Sequence, residues 1–306
     1  MIRKLRKLGV LLVGASLTMS MVGCGSTQTE TSVSKENEKK DAIAEETEVA
    51  TENVEEKDTG SADGAKGALE GVKLTVGTSG LFAPFSYYDE SGTNLIGFDL
   101  DFMEALQGYL GFEIDGSVQA MDYSALTASV AEGKLDFAMA ALCATDERKE
   151  VMNFSDTYCD SGLMVMVNSE TSPKEITGSE SLLNGDYVIA VEKGTCSHLW
   201  CINSGIPEDK IQIHDEITTA YESLEQGKVD CLLQDGPNAA YYTKTQADTK
   251  LTTVGEEFNQ GQAPYAIAIS FKAAEKNPEI VTYFNEAIKA LEADGTMDEI
   301  RAKWLE

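Results

Sequence analysis

Positive charge is scarce in this chain. Only 24 lysines and arginines stand against 52 aspartates and glutamates, for a formal net charge of -28 over 306 residues. Binding phosphate calls for a basic patch, so this balance argues against nucleic acid as a partner. Anionic lipid would be repelled by the same surface. Histidine is scarcer still: His198 and His214 are the only two, they lack metal-ligand spacing, and structural roles are expected for both. None of the six cysteines forms a CxxC pair, which leaves a zinc site without support. There is no P-loop, no set of membrane spans, and no Ser-His-Asp or Cys-His constellation. No cofactor is expected.

What is present begins with a marked N-terminus. "MIRKLRKLG" is basic through Arg3, Lys4, Arg6 and Lys7, and the apolar run "VLLVGASLTMSMVG" follows it. This is the n-region and h-region pattern of a secretory signal over residues 1–23. Gly23 directly before Cys24 resembles a bacterial lipobox, in which the cysteine is lipidated and becomes the new N-terminus; Met21 stands where that motif more often has Leu. An uncleaved anchor is the alternative. A span needs roughly 20 apolar residues, and this run is shorter and dotted with Gly, Ser and Thr. The expected protein is therefore extracytoplasmic, held to the cell membrane by lipid on Cys24. Loss of the four basic signal residues takes the formal charge from -28 to -32.

Residues 24–71 are rich in Glu, Thr, Ser and Lys and contain no aromatic residue. Such a segment cannot bury enough apolar surface to offset the entropy of ordering it, and it reads as a flexible acidic tether. The remainder, from Val72 to Glu306, is ample for a core in one large domain or two lobes.

From Val72 the patterning sharpens. "VKLTVGTS" alternates Val72, Leu74 and Val76, a strand signal. "DFMEALQGYLGF" places Phe102, Ala105, Leu106, Tyr109 and Leu110 on one helical face. "GKLDFAMAAL" reads as a buried strand after a turn. Strands alternating with helices indicate an α/β fold with largely parallel pairing. An internal echo points to two similar lobes: "YSALTASVAEGKLDFAMAAL" from Tyr123 and "AYESLEQGKVDCLLQD" from Ala220 each run helix, Gly-Lys-(Leu or Val)-Asp, then apolar strand. Gly133 and Gly227 should each close a helix with positive φ. Near the C-terminus, Asn277 is expected to cap a helix with Pro278 at its first position. Ile280, Phe284, Ile288 and Leu291 form its stripe, Gly295 stops it, and a last short helix carries Ile300 and Trp304.

One stretch, "ATDERKEVMNFSD", crowds charge around Arg148. Charge runs are usually solvated surface, so the arginine alone does not declare a site.

Five stretches, "VGTSGLFAPFSYYDESGTNLIGFDLDFMEAL", "AMDYSALTASVAEGKLDFAMAALCATDERKEVMNFSDTY", "VIAVEKGTCSHLW", "GKVDCLLQDGPNAAYY" and "DGTMDEIRAKWLE", occur in the order and spacing of one family. They closely resemble the solute-binding proteins of bacterial polar amino acid ABC transporters. The resemblance covers essentially all of residues 72–306. It implies a two-lobed periplasmic-binding-protein-like α/β fold with a two-strand hinge and a central ligand cleft. Residues 72–162 and 263–306 would form lobe 1, and 163–262 lobe 2. The hinge would be crossed near "CDSGL" and "QAPYAI".

The resemblance also assigns residues. Arg148 matches the arginine that grips an amino acid α-carboxylate, a bidentate fit for a planar guanidinium, while Asp146, Glu147, Lys149 and Glu150 stay solvated. Ala141 and Cys143 match positions that meet the carboxylate from lobe 1. Thr195 and Cys196 open a lobe 2 helix whose free N–H groups favour an anion. In the closed form Cys143 and Cys196 approach the same carboxylate from opposite lobes, and both are expected to be reduced in the working protein. Asp235 matches the acceptor of the α-ammonium; a plain helix cap is its alternative role. Phe82 and Tyr123 match the aromatics that cover the ligand.

Departures from the family limit the choice of ligand. Ser79 stands where many relatives carry an acid, and Cys143 replaces the usual Ser or Thr. Glu192 and Gln234 stand where one glutamine-binding relative has Lys and His. Glu192 would either accept from a cationic side chain or face solvent. The reading is a non-enzymatic, monomeric binding lipoprotein that delivers an amino acid to permease subunits driven by a separate ATPase. The alternatives are a cyclohexadienyl-dehydratase-like enzyme on the same fold, with Glu192 as its acid, and a ligand-sensing subunit.

Overall fold

The computed structural model describes residues 64–262 and 264–306. The expected signal at 1–23, Cys24 and the tether as far as residue 63 lie outside the described residues. Residues 64–71, read from composition as the end of the tether, pack onto the folded unit, which therefore begins before Val72. Ala65 and Leu69 are buried, and the N–H groups of Gly67 and Leu69 donate to the carbonyls of Tyr109 and Leu110 at 2.9 Å each. Those carbonyls end helix Phe98–Leu110, where the helix has no further donors of its own.

Two five-stranded sheets form the two lobes. In the first, strand Val76–Thr78 lies between Gln119–Ala120 and Phe137–Ala138, parallel to both; Tyr265–Ile269 and then Asn153–Cys159 follow antiparallel. In the second, Ile189–Glu192 lies between Ile211–His214 and Cys231–Asp235, again parallel to both, with Leu163–Asn168 and Leu251–Phe258 antiparallel beyond. The pairing is thus mixed and not largely parallel. The antiparallel pairs are those next to the crossings, and the pattern is reciprocal. Each crossing leaves the outermost antiparallel strand of one sheet and enters the inner antiparallel strand of the other, over residues 160–162 and 259–264.

The internal echo is structural. Helix Tyr123–Ala131 precedes strand Phe137–Ala138, and helix Ile217–Glu225 precedes strand Cys231–Asp235. Gly133 and Gly227 have φ of 64° and 63°, the left-handed turn that ends a helix without Cβ strain. The aspartate directly before each strand does the same work in both lobes. Asp136 Oδ2 accepts the Thr75 N–H at 2.8 Å, and Asp230 Oδ2 accepts the Val188 N–H at 2.8 Å.

At the C-terminus the expected cap shifts. Asn277 ends helix Phe271–Lys276, and the next helix runs Ile280–Ala293. Pro278 sits in the connecting turn, where the Ile280 N–H donates to the Asn277 carbonyl at 3.0 Å. The stripe Ile280, Phe284, Ile288 and Leu291 is buried as expected.

Several contacts join the lobes. Tyr87 and Tyr241 share a hydroxyl hydrogen bond of 3.1 Å, and on the first-lobe side of that contact Trp304 lies edge-on to Tyr87 with centroids 6.2 Å apart. Asn238 donates from Nδ2 to the Ala83 carbonyl. At the first crossing a Cβ on Gly162 would stand 2.6 Å from the Phe258 carbonyl oxygen, so the two crossing segments approach closely only with glycine there. Among the described residues no helix is long and apolar enough to cross a membrane.

Candidate functional site

Arg148 sits on the one-turn helix Asp146–Lys149, whose Thr145 cap accepts the Arg148 N–H at 3.3 Å. Asp146, Glu147, Lys149 and Glu150 are exposed, while Arg148 is only 9% exposed. The charged stretch is therefore solvated except at its arginine, which turns inward between the lobes. Its Nη1 donates to the Cys143 carbonyl and its Nη2 to the Gly194 carbonyl, each at 2.7 Å. Its guanidinium carbon stands 5.2 Å from the centre of the Tyr123 ring, a cation–π arrangement. One side chain thus touches a first-lobe loop, a first-lobe helix and a second-lobe turn.

Cys143 and Cys196 meet beside it. Cys143 follows the first-lobe strand Phe137–Ala138, and Cys196 is the first residue of helix Cys196–Asn203, after the second-lobe strand Ile189–Glu192. Their Cα atoms are 6.7 Å apart and their sulfurs are in bonding contact. Thr195 caps this helix as expected, accepting the His198 N–H at 3.4 Å and donating its hydroxyl to the Glu192 carbonyl at 2.8 Å.

Asp235 supplies the opposite charge. It is buried at the end of strand Cys231–Asp235 and precedes helix Gly236–Thr245, yet its side chain makes no cap bond to that helix. Oδ2 accepts the Tyr265 hydroxyl at 2.6 Å, and Oδ1 is buried without a partner in the protein. A buried carboxylate oxygen with no donor is costly, so its position suits a cation. Burial pushes the Asp235 pKa up to about 6, against the Tyr265 hydrogen bond and the Arg148 charge, which hold it down.

Glu192 is 6% exposed, so the solvent-facing alternative is overturned. Burial first, and then the Asp235 charge, push its pKa up to about 8, although the Ile217 N–H donates to it. Tyr123, Arg148, Asp235 and Glu192 lie close enough for charge to act between them.

The remaining expected residues divide. Phe82 is buried and packs on Phe85 with centroids 6.0 Å apart, and Phe85 meets Tyr265 edge-on at 5.1 Å. Ser79 is buried, with Oγ accepting the Leu81 N–H at 3.3 Å. Ala141 has φ 49°, unusual for a residue with a side chain. Its N–H already donates to Asp99 Oδ2 at 2.9 Å, so that backbone donor is engaged inside the protein. Gln234 is engaged within the second lobe: Nε2 donates to Asn238 Oδ1 at 2.9 Å, and Oε1 accepts the Asp235 N–H at 2.8 Å. Neither histidine joins a metal-ligating group among the described residues. His198 Nδ1 accepts the Gly194 N–H at 3.1 Å.

Three residues that matter here were not singled out from the sequence. Asp99, fully buried, takes the Tyr158 hydroxyl at 2.7 Å as well as the Ala141 N–H, and burial pushes its pKa up to about 7. Asn238 reaches across to Ala83. Tyr265 orients Asp235. The "QAPYAI" stretch marked a crossing, and a polar tip on an otherwise apolar strand was the available signal. A small cavity of about 10 Å³ lies among Cys143, Ser161, Gly162, Leu163, Cys196, Asp235 and Asn259. A wider groove of about 920 Å³ runs outside the cysteine pair, and of the expected site residues only Cys196 lines it.

Proteins similar to this chain include the following three. The L-cystine-binding protein TcyJ of Escherichia coli K12 is 28% identical over 78% of this chain and 86% of its own length. The structure of an ancestral arginine-binding protein bound to glutamine is 31% identical, with TM-score 0.67 over 76% of this chain and 97% of that one. An ancestral amino acid-binding protein described as a precursor of cyclohexadienyl dehydratase is 28% identical, with TM-score 0.65 over 76% and 96%. The family model for bacterial extracellular solute-binding proteins, family 3, matches residues 74–306. That match spans both sheets and both crossings, and the chain belongs to the bacterial extracellular solute-binding proteins of family 3.

Proposed function

We propose that the chain captures an extracellular amino acid in the cleft and delivers it to the permease subunits of an ABC importer driven by a separate ATPase. The observation that carries this is the pairing of Arg148 with Asp235. A guanidinium from the first lobe and a buried carboxylate from the second face one cleft, and Asp235 keeps Oδ1 unpartnered. Arg148 takes the α-carboxylate and Asp235 the α-ammonium. Tyr123 and Phe82 cover the apolar part, with Cys143, Thr195 and Cys196 around the carboxylate. Residues 72–162 and 263–306 act as one lobe and 163–262 as the other, closing on the ligand by hinge motion. The N-terminal pattern supports lipid attachment at Cys24 and an extracytoplasmic, membrane-held protein.

A thermal-shift screen of all amino acids tests the reading, because a bound ligand raises apparent stability by mass action. A flat response across the panel, with calorimetry also silent, would refute it. Glu192 supports a second reading. A buried carboxyl with a pKa near 8 in a cleft is a candidate general acid, as a dehydratase on this fold would need. Turnover of a cyclic dienyl acid, lost in Glu192→Gln, would decide for that reading.

A further inference from the structure

We propose that Cys143 and Cys196 are a redox-active pair that exchanges with small-molecule disulfides and, once bridged, locks the cleft shut. The two sulfurs belong to different lobes, and their Cα separation of 6.7 Å lies within the span of roughly 4.4–6.8 Å that a disulfide tolerates. The lobes are otherwise joined covalently at two crossings, residues 160–162 and 259–264. A bond between Cys143 and Cys196 adds a third tie across the cleft, which removes the hinge freedom the two crossings allow.

The surroundings favour reactivity at this pair. Cys196 heads an eight-residue helix, and a helix N-terminus lowers a thiol's pKa. Arg148 adds a positive charge next to both cysteines, through the Cys143 carbonyl and the turn that holds Gly194. Cys196 also lines the wider groove, whereas Cys143 does not, so an external reagent reaches Cys196 first. None of the other cysteines among the described residues heads a helix. Burial pushes Cys159 and Cys201 up to about 12 and raises Cys231 as well.

The chemistry balances with a small disulfide, RSSR, as oxidant. The Cys196 thiolate attacks one sulfur of RSSR; the S–S bond breaks and the first RS⁻ leaves and takes up a proton. The Cys143 thiolate then attacks Cys196 Sγ in the mixed disulfide and expels the second RS⁻. Two protein thiols are oxidised and one disulfide is reduced to two RSH. Excess thiol reverses both steps through Cys196.

The experiment uses the reduced full chain and hydroxyethyl disulfide, which has no amino acid groups. Expected are a Cys143–Cys196 linked peptide, two equivalents of mercaptoethanol released, a smaller radius in X-ray scattering, and reversal by dithiothreitol. In Cys143→Ser the reagent should remain as a stable adduct on Cys196, and in Cys196→Ser no compaction should follow. If both cysteines of the wild-type chain stay open to alkylation after treatment, or if the linked peptide forms with no change in scattering, the proposal is wrong. Loss of amino acid binding in the bridged wild type, by at least a hundredfold, is also expected; that arm alone rests on the proposed function. If the reduced chain binds no amino acid while the bridge still compacts it, the binding reading fails and the lock stands.

Discussion

Tyr265 donates its hydroxyl to Oδ2 of Asp235 at 2.6 Å, and both side chains are buried where the lobes meet. The bond keeps a buried carboxylate ionised against its burial. Tyr265→Phe should therefore raise the Asp235 pKa above about 6 and weaken amino acid binding at neutral pH. A hydrogen bond to a charged group contributes about 1.5–3 kcal/mol, so the loss should be tenfold or more. The acid limb of the affinity profile should move to higher pH, with affinity partly regained in alkaline buffer. Calorimetry across the pH range checks both the size and the direction.

Arg148→Ala should abolish binding while the fold survives. Truncating one partner of a buried charge pair costs about 2–5 kcal/mol, enough to remove micromolar affinity from a calorimetric trace. Circular dichroism should be unchanged. In the wild type, amidated or N-acetylated amino acids should fail to bind, since each lacks one of the two charges.

Glu192 makes stability depend on pH in a particular direction. Its folded pKa, about 8, lies above the ordinary 4.5, so between those values the folded state holds more protons than the unfolded one. Stability is then fully present below about pH 4.5 and is lost as pH rises through about 8. Glu192→Gln should flatten that decline and leave the variant more stable than wild type in mildly alkaline buffer. Asp99 and Asp235, shifted upward to about 7 and about 6, should leave a residual slope of the same sign. Urea unfolding at a series of pH values measures it.

The paired aspartates should prove unequal. Asp136 accepts the Thr75 N–H and hydroxyl at 2.8 Å each and pairs with Lys276 at 3.1 Å, whereas Asp230 holds only the Val188 N–H among its described hydrogen bonds. Asp136→Ala should cost about 3 kcal/mol and Asp230→Ala about 1.5 kcal/mol. Denaturant midpoints at constant slope give the comparison.

The sequence made the repeated helix–turn–strand unit legible, because Gly133 and Gly227 need a conformation that few other residues adopt. Arg148 became legible only through the order of neighbouring motifs, since its local charge pattern is that of a surface. Three features were beyond local reading. The docking of Ala65 and Leu69 depends on carbonyls far along the chain. The direction of Gln234 is set by Asn238, one helical turn later. The burial of Glu192 depends on helix Ile217–Glu225 folding over it. The first and third are decided by partners distant in sequence and the second by a side-chain hydrogen bond across a strand–helix junction, where propensity and periodicity are silent.

The chain's two tryptophans stand at places where the lobes join. Trp304 rests against Tyr87, whose hydroxyl is shared with Tyr241 of the opposite lobe, and Trp200 rests edge-on against Phe258, with centroids 5.1 Å apart, beside the second crossing. The hinge closure and opening proposed above should move Tyr241 relative to the first ring pair and the end of the strand beneath the second. The molecule therefore carries its own optical gauge: ultraviolet emission from two indoles, one sampling the interlobe seam and one the pivot, reports opening and closing without an attached dye.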